Sequence, residues 1–133
     1  MNSPANETGN KKFQFKDRLK SFRNAFTGLF FLFRSEHNAR IHLAVLIVVI
    51  LAGIFLRINT RDWISIAFAA GLVLSGECFN TAVEYLSDII SPGYNEKIRR
   101  AKDVAAAGVL ISAVMSILIG IAVFLPKILK LLN

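Results

Sequence analysis

The sequence predicts an all-α integral membrane protein, with one N-terminal amphipathic surface helix followed by three transmembrane helices. Three observations carry that prediction. Hydrophobic residues make up 54% of the 133-residue chain, and they fall in long blocks suited to a bilayer rather than to an ordinary soluble core. Basic residues gather beside those blocks, where topogenic charges belong. Just ahead of the first block, phenylalanines alternate with lysines and arginines, the pattern of a helix lying in the interface. The formal net charge of +7 is thereby assigned to topology, and no nucleic acid partner is expected.

Residues 1–14 read as a disordered polar tail, with Pro4 and Gly9 opposing regular structure. No cleavable secretory signal is expected, because a polar tract opens the chain. Residues 15–133 form the membrane domain. The surface helix is expected over about 15–35, where Phe22, Phe26, Leu29, Phe30 and Phe33 accompany Lys16, Arg18, Lys20 and Arg23.

The first span is expected over about 38–57. Its apolar run, Ile41 to Leu56, falls short of the roughly 20 residues a crossing takes, so helical residues before His42 should complete it. The second span, about 63–90, opens at Trp63, an interfacial aromatic, and stops at Ser91-Pro92-Gly93. A polar loop from Tyr94 to Lys102 leads to the third span, about 103–125, which Ala105, Ala106, Ala107 and Gly108 open with small residues for close packing. A short interfacial extension follows Pro126, carrying Lys127 and Lys130. Cys78 is the single cysteine, so it forms no intramolecular disulfide; it reads as a small packing residue.

Orientation follows from the cations. Eight lysines and arginines from Lys11 to Arg40 precede the first span, and Lys97, Arg99, Arg100 and Lys102 lie between the second and third, against Arg57 and Arg61 in the remaining loop. The positive-inside rule then places the N-terminus in the cytoplasm and the C-terminus outside.

Within the second span, Glu77, Asn80, Glu84 and Asp88 are spaced by three, four and four residues, which sets them on one stripe of a helix. An ionisable group at the centre of a span costs roughly 2.5 to 3.5 kcal/mol on insertion scales, so several together need a compensating role. Helix-to-helix hydrogen bonding is the bland alternative, but serine or asparagine would supply it at lower desolvation cost. Two further clusters, Glu36-His37-Asn38-Ala39-Arg40-Ile41-His42 and Arg99-Arg100-Ala101-Lys102-Asp103, fall on the same cytoplasmic side. Each alone reads as a solvated helix start or a topogenic loop. Together with the stripe they supply carboxylates for a hard metal ion, a cation for phosphate charge and a carboxylate to deprotonate an alcohol, the inventory of phosphoryl transfer. No Gly-x-x-x-x-Gly-Lys-Ser/Thr loop or soluble-kinase signature is present.

The segment Glu77-Cys78-Phe79-Asn80-Thr81-Ala82-Val83-Glu84, with Asp88 and Ala101-Lys102-Asp103, resembles the signature of the prokaryotic diacylglycerol kinase and undecaprenol kinase family, from about Phe22 to the end of the third span. The resemblance implies a homotrimer with active sites between subunits, in the inner (cytoplasmic) membrane of a prokaryote, using ATP as co-substrate and Mg2+ as cofactor on a membrane lipid alcohol. It implies Glu77 as general base, Glu36 and Glu84 as magnesium ligands, and Glu36, Asn80, Glu84, Asp88, Tyr94, Lys102 and Asp103 around the nucleotide. Asn38, Arg40 and Glu77 are implied at the lipid substrate. Glu36-x-Asn38-x-Arg40-Ile41-His42 departs from the proteobacterial diacylglycerol kinase, which has an acid where His42 stands, and looks like the undecaprenol kinase branch. Pro92-Gly93 also differs from the proteobacterial form. His42 is kept out of the metal site and is expected to hydrogen-bond or face headgroups; His37 is expected to be exposed.

Two readings of other classes stand beside this one. In a transporter the carboxylate stripe would be an ion path, which needs polar groups across the whole bilayer; between Trp63 and Gly76 only Ser65 and Ser75 break the apolar run. A lipid-binding adaptor would survive Glu77→Gln, which should disable a kinase.

Overall fold

A computed structural model of the protein describes residues 15–132; the predicted polar tail, residues 1–14, lies outside the described residues. The described chain is all-helical, in the order α1 (Phe15–Ser35), α2 (His37–Phe55), α3 (Thr60–Ile90) and α4 (Glu96–Leu132). The last three are long and apolar enough to cross a membrane. At 1.5 Å per residue, the 19, 31 and 37 residues of α2, α3 and α4 give helices of about 28, 46 and 55 Å. Only α2 matches a hydrocarbon core of roughly 30 Å, so α3 and α4 extend past it.

One residue separates α1 from α2. Glu36 is extended, at φ −96 and ψ 123, and its side chain makes no capping hydrogen bond, so its carboxylate is free for another partner. Along α1, Phe15, Phe22, Phe26 and Phe30 are exposed while Leu32 is buried. Phe31 stacks at a tilt on Tyr85 of α3, ring centroids 5.4 Å apart, which ties α1 to the lower half of α3.

The turn from α2 to α3 is closely specified. Arg57 sits in the left-handed region at φ 49, and the Arg57 and Ile58 amides donate to the carbonyls of Ile54 and Gly53 at 3.2 and 3.1 Å. That pair of bonds is a Schellman closure, which satisfies carbonyls the helix end would leave open. Asn59 then caps α3 through a capping box with Asp62. Trp63, expected simply at the interface, is half-buried over Gly53: a Cβ on Gly53 would lie 2.8 Å from the indole.

The most extensive packing is between α3 and α4. The Ser116 hydroxyl of α4 lies 3.1 Å from the Ala69 carbonyl of α3 and 2.8 Å from the Ser112 carbonyl of its own helix, so the two helices approach closely there. One face of α3 is buried at Ile66, Ala69, Val73, Glu77 and Thr81, spaced by three or four residues as a helix face must be. Cys78, expected as packing, is exposed, because one residue beyond Glu77 lies about 100° around the helix from that face.

The predicted loop from Tyr94 to Lys102 is mostly helix. Asn95 accepts from the amides of Lys97 and Ile98, capping α4, and Glu96 pairs with Arg99 and Arg100 at 3.0 Å, so the polar residues favour the helix rather than interrupt it. Nor does α4 stop at Pro126, which lies inside the helix. A proline removes one donor, a loss that membrane helices accommodate when neighbouring groups take up the freed backbone.

Candidate active site

The buried face of α3 changes character one turn below Val73. Its next member is Glu77, only 2% exposed, and the following turns bring Asn80 and Glu84, both half-buried, and the exposed Asp88. The stripe therefore runs from buried carboxylate to solvent.

Across from Glu77 stands His42 on α2. The imidazole Nε2 lies 3.1 Å from Glu77 Oε1, within ion-pair distance, although no well-aligned hydrogen bond reaches that buried oxygen. The acids Glu36 and Glu84 also act electrostatically on Glu77. A carboxylate so buried, in an apolar span, normally has its oxygens satisfied; here the His42 imidazole is the group set against Oε1.

Asn80 Nδ2 donates to Glu84 Oε1 at 3.1 Å, while Asn80 Oδ1 is buried without a partner. An orphaned carbonyl oxygen beside a carboxylate is a hard-donor arrangement that a magnesium ion or its water would complete. Among the described residues no three His, Cys, Asp or Glu side chains gather closely enough to hold a metal by themselves. Magnesium does not require that, since it is usually held by one or two carboxylates with phosphate oxygens and water. The residues present therefore fit the ion.

Toward the water, Lys102 Nζ donates to Asp88 Oδ1 at 3.1 Å, joining two residues expected at the nucleotide. Asp103 and Tyr94 belong to a different network: Asp103 accepts from Arg99 Nη1 at 3.0 Å, and Tyr94 Oη donates to Glu96 Oε2 at 2.6 Å. The hydrogen bonds from Arg99, with those from Tyr94 and Arg100, hold the Glu96 carboxyl far below its usual range, at about 2. Glu96, Arg99 and Arg100 precede the membrane-crossing part of α4. Asn38 and Arg40, expected at the lipid, lie exposed on the first turn of α2, as does His37.

An apolar groove of about 390 Å³ runs between α2, α3 and α4, lined among others by Val45, Val49, Val73, Ala113 and Phe124, with His42 at its end. Sequence reasoning set His42 at a headgroup boundary and so missed its place beside Glu77. A signal was available: His42 precedes the turn at Ile58 by about as many residues as Glu77 follows it, and equal rise along antiparallel helices puts both at one depth.

Comparison with known proteins follows this geometry. A model of the prokaryotic diacylglycerol kinase family matches residues 23–124. The chain is 35% identical over 110 residues to undecaprenol kinase of Bacillus subtilis, covering 83% of this chain and 89% of that protein. It is 34% identical over 115 residues to diacylglycerol kinase of a Synechocystis species, covering 86% of this chain and 66% of that protein.

Proposed function

The chain belongs to the prokaryotic diacylglycerol kinase family, a family of membrane lipid kinases, and from that premise we propose that it transfers the γ-phosphoryl group of ATP to undecaprenol, forming undecaprenyl phosphate. The observation that carries the site is Glu77, a carboxylate buried within a span with the His42 imidazole 3.1 Å from its Oε1.

In this reading Glu77 takes the proton of the lipid hydroxyl as that oxygen attacks in line. Burial holds the carboxylate in place, and positioning of the two reactants supplies much of the acceleration. Lys102, held by Asp88, offsets charge on the phosphates. Asn80 fixes the orientation of Glu84 through its amide. Magnesium bound by Glu36 and Glu84 would neutralise phosphate charge and orient the triphosphate. Asn38 and Arg40 meet the lipid head at the interface, and Tyr94 and Asp103 border the nucleotide. The apolar groove ending at His42 gives a hydrocarbon chain a place to lie beside the base.

In this reading the chain works in the cytoplasmic membrane as a homotrimer, which the family resemblance implies, and the distribution of cations supports an N-terminus and site on the cytoplasmic side. The similarity to a diacylglycerol kinase keeps diacylglycerol as a second acceptor. The polyprenol is favoured by the coverage of the undecaprenol kinase relative and by His42 in place of an acid.

Transfer of γ-labelled phosphate to undecaprenol and to diacylglycerol in magnesium-containing micelles tests this reading. Labelling of undecaprenol over diacylglycerol, abolished by Glu77→Gln, is the expected result. Preference for diacylglycerol moves the assignment, and no labelling of either lipid by folded wild-type protein overturns it.

A further inference from the structure

The acid formed when Glu77 accepts a proton must lose it before the next turnover. With 2% of its surface exposed, Glu77 has almost no direct path to water. The side chain against its Oε1 is His42, 3.1 Å away and a quarter exposed. Imidazole is the side chain that gains and loses a proton near neutral pH.

We propose that His42 is the proton outlet of this site, a positioning residue that takes from Glu77 the proton removed from the lipid hydroxyl and releases it to cytoplasmic water. The inference rests on the proposed lipid kinase reading. The lipid oxygen bonds to the γ-phosphorus, the bond from that phosphorus to the bridging oxygen breaks, and its electron pair leaves on the nucleoside diphosphate. The hydroxyl proton goes to Glu77, then to Nε2 of the neutral imidazole, restoring the carboxylate, and the imidazolium passes it to water. No oxidant or further reactant is needed.

The surroundings leave His42 as the route. The other titratable groups acting on Glu77 are the carboxyls of Glu36, at the head of α2, and Glu84 on α3, both committed to the ion in the proposed mechanism. From α4, Val109 and Ser112 pack at the neighbouring Gly76, and neither carries charge. From α1, the packed residues Phe31 and Leu32 are likewise uncharged.

The test uses the full chain in micelles with undecaprenol, ATP and magnesium, comparing wild type, His42→Gln, His42→Ala and Glu77→Gln over a range of pH. His42→Gln keeps a polar side chain of similar reach and cannot carry a proton. It is expected to lower kcat about tenfold, within the span that proton-transfer groups contribute, with KM for both substrates unchanged and the pH dependence of kcat altered. Added imidazole should restore rate to His42→Ala. Wild-type kcat and pH profile in His42→Gln overturns the relay, as does failure of imidazole to rescue a folded, impaired His42→Ala. Full activity of Glu77→Gln overturns instead the assignment of the base, and an inactive folded wild type overturns the kinase reading itself.

Discussion

Lys102 on α4 reaches Asp88 on α3, nitrogen to oxygen 3.1 Å, and so joins the water-facing end of the carboxylate stripe to the start of the third span. The pair is exposed, with 37% and 72% of the two side chains open to solvent, so it adds at most about 1 kcal/mol to stability. Its value is positional. Lys102→Ala is expected to raise KM for ATP and lower kcat while leaving thermal unfolding almost unchanged. Steady-state kinetics beside a melting curve in the same micelles separate the two effects.

The proposed ion site gives a second expectation. Glu84→Gln keeps a partner for the Asn80 amide but removes a charge, so the magnesium concentration for half-maximal rate should rise, by about tenfold or more for a lost ligand charge of roughly 1.4 kcal/mol or above. Chelation should abolish wild-type activity, and excess magnesium should restore it. Unchanged magnesium dependence in Glu84→Gln would remove Glu84 from the ion.

Two glycines on neighbouring helices should respond differently to alanine. At Gly53 the new Cβ meets the Trp63 ring at 2.8 Å and Ile58 at 3.0 Å, an overpacking that costs about 1 to 3 kcal/mol. At Gly76 the nearest atom is 3.6 Å away, an ordinary contact, so Gly76→Ala should leave the melting temperature near wild type. The comparison is read by thermal unfolding.

Arg57 occupies a left-handed backbone position at φ 49, where a side chain costs roughly 1 to 2 kcal/mol that glycine does not. Arg57→Gly is therefore expected to stabilise the protein slightly, by about 1 kcal/mol at most once the looser unfolded chain is counted. A fall in stability would mean that the Arg57 side chain makes a compensating contact.

Glu96 supplies a pH prediction. Its carboxyl titrates at about 2 rather than 4.5, chiefly through Arg99, then Tyr94 and Arg100. A carboxyl depressed in the fold stabilises it above the ordinary value, and that contribution fades as the pH falls from about 4.5 toward 2. Carboxyl-carbon NMR should find Glu96 ionised at pH 4, and Arg99→Gln should move its midpoint upward.

The helices and the polar stripe were legible because burial in lipid imposes a period on sequence: Glu77, Asn80, Glu84 and Asp88 can share a face only on a helix. The start of α4 was misread because Glu96, Arg99 and Arg100 look like loop composition, although Asn95 followed by an acid is a helix-start signal. The meeting of His42 with Glu77 depends on how α2 docks against α3, which no single-helix pattern states. Orientation of Asp103 and Tyr94 toward Arg99 and Glu96 depends on local competition among several charges, which spacing alone does not resolve.

The turn at Arg57 has a mechanical consequence for chemistry at the far end of the molecule. Between Phe55 and Thr60 the two helices are clamped by the Schellman closure, the capping box and Trp63 over Gly53, whereas α2 packs on α3 much less extensively than α4 does. About 15 residues of helix, or roughly 22 Å, separate Arg57 from His42. A tilt of about 3° there moves the imidazole about 1 Å, a displacement that can change a rate on the order of a hundredfold. In the proposed relay, the closure of the turn at one end of α2 would bear on the aim of the imidazole at the other.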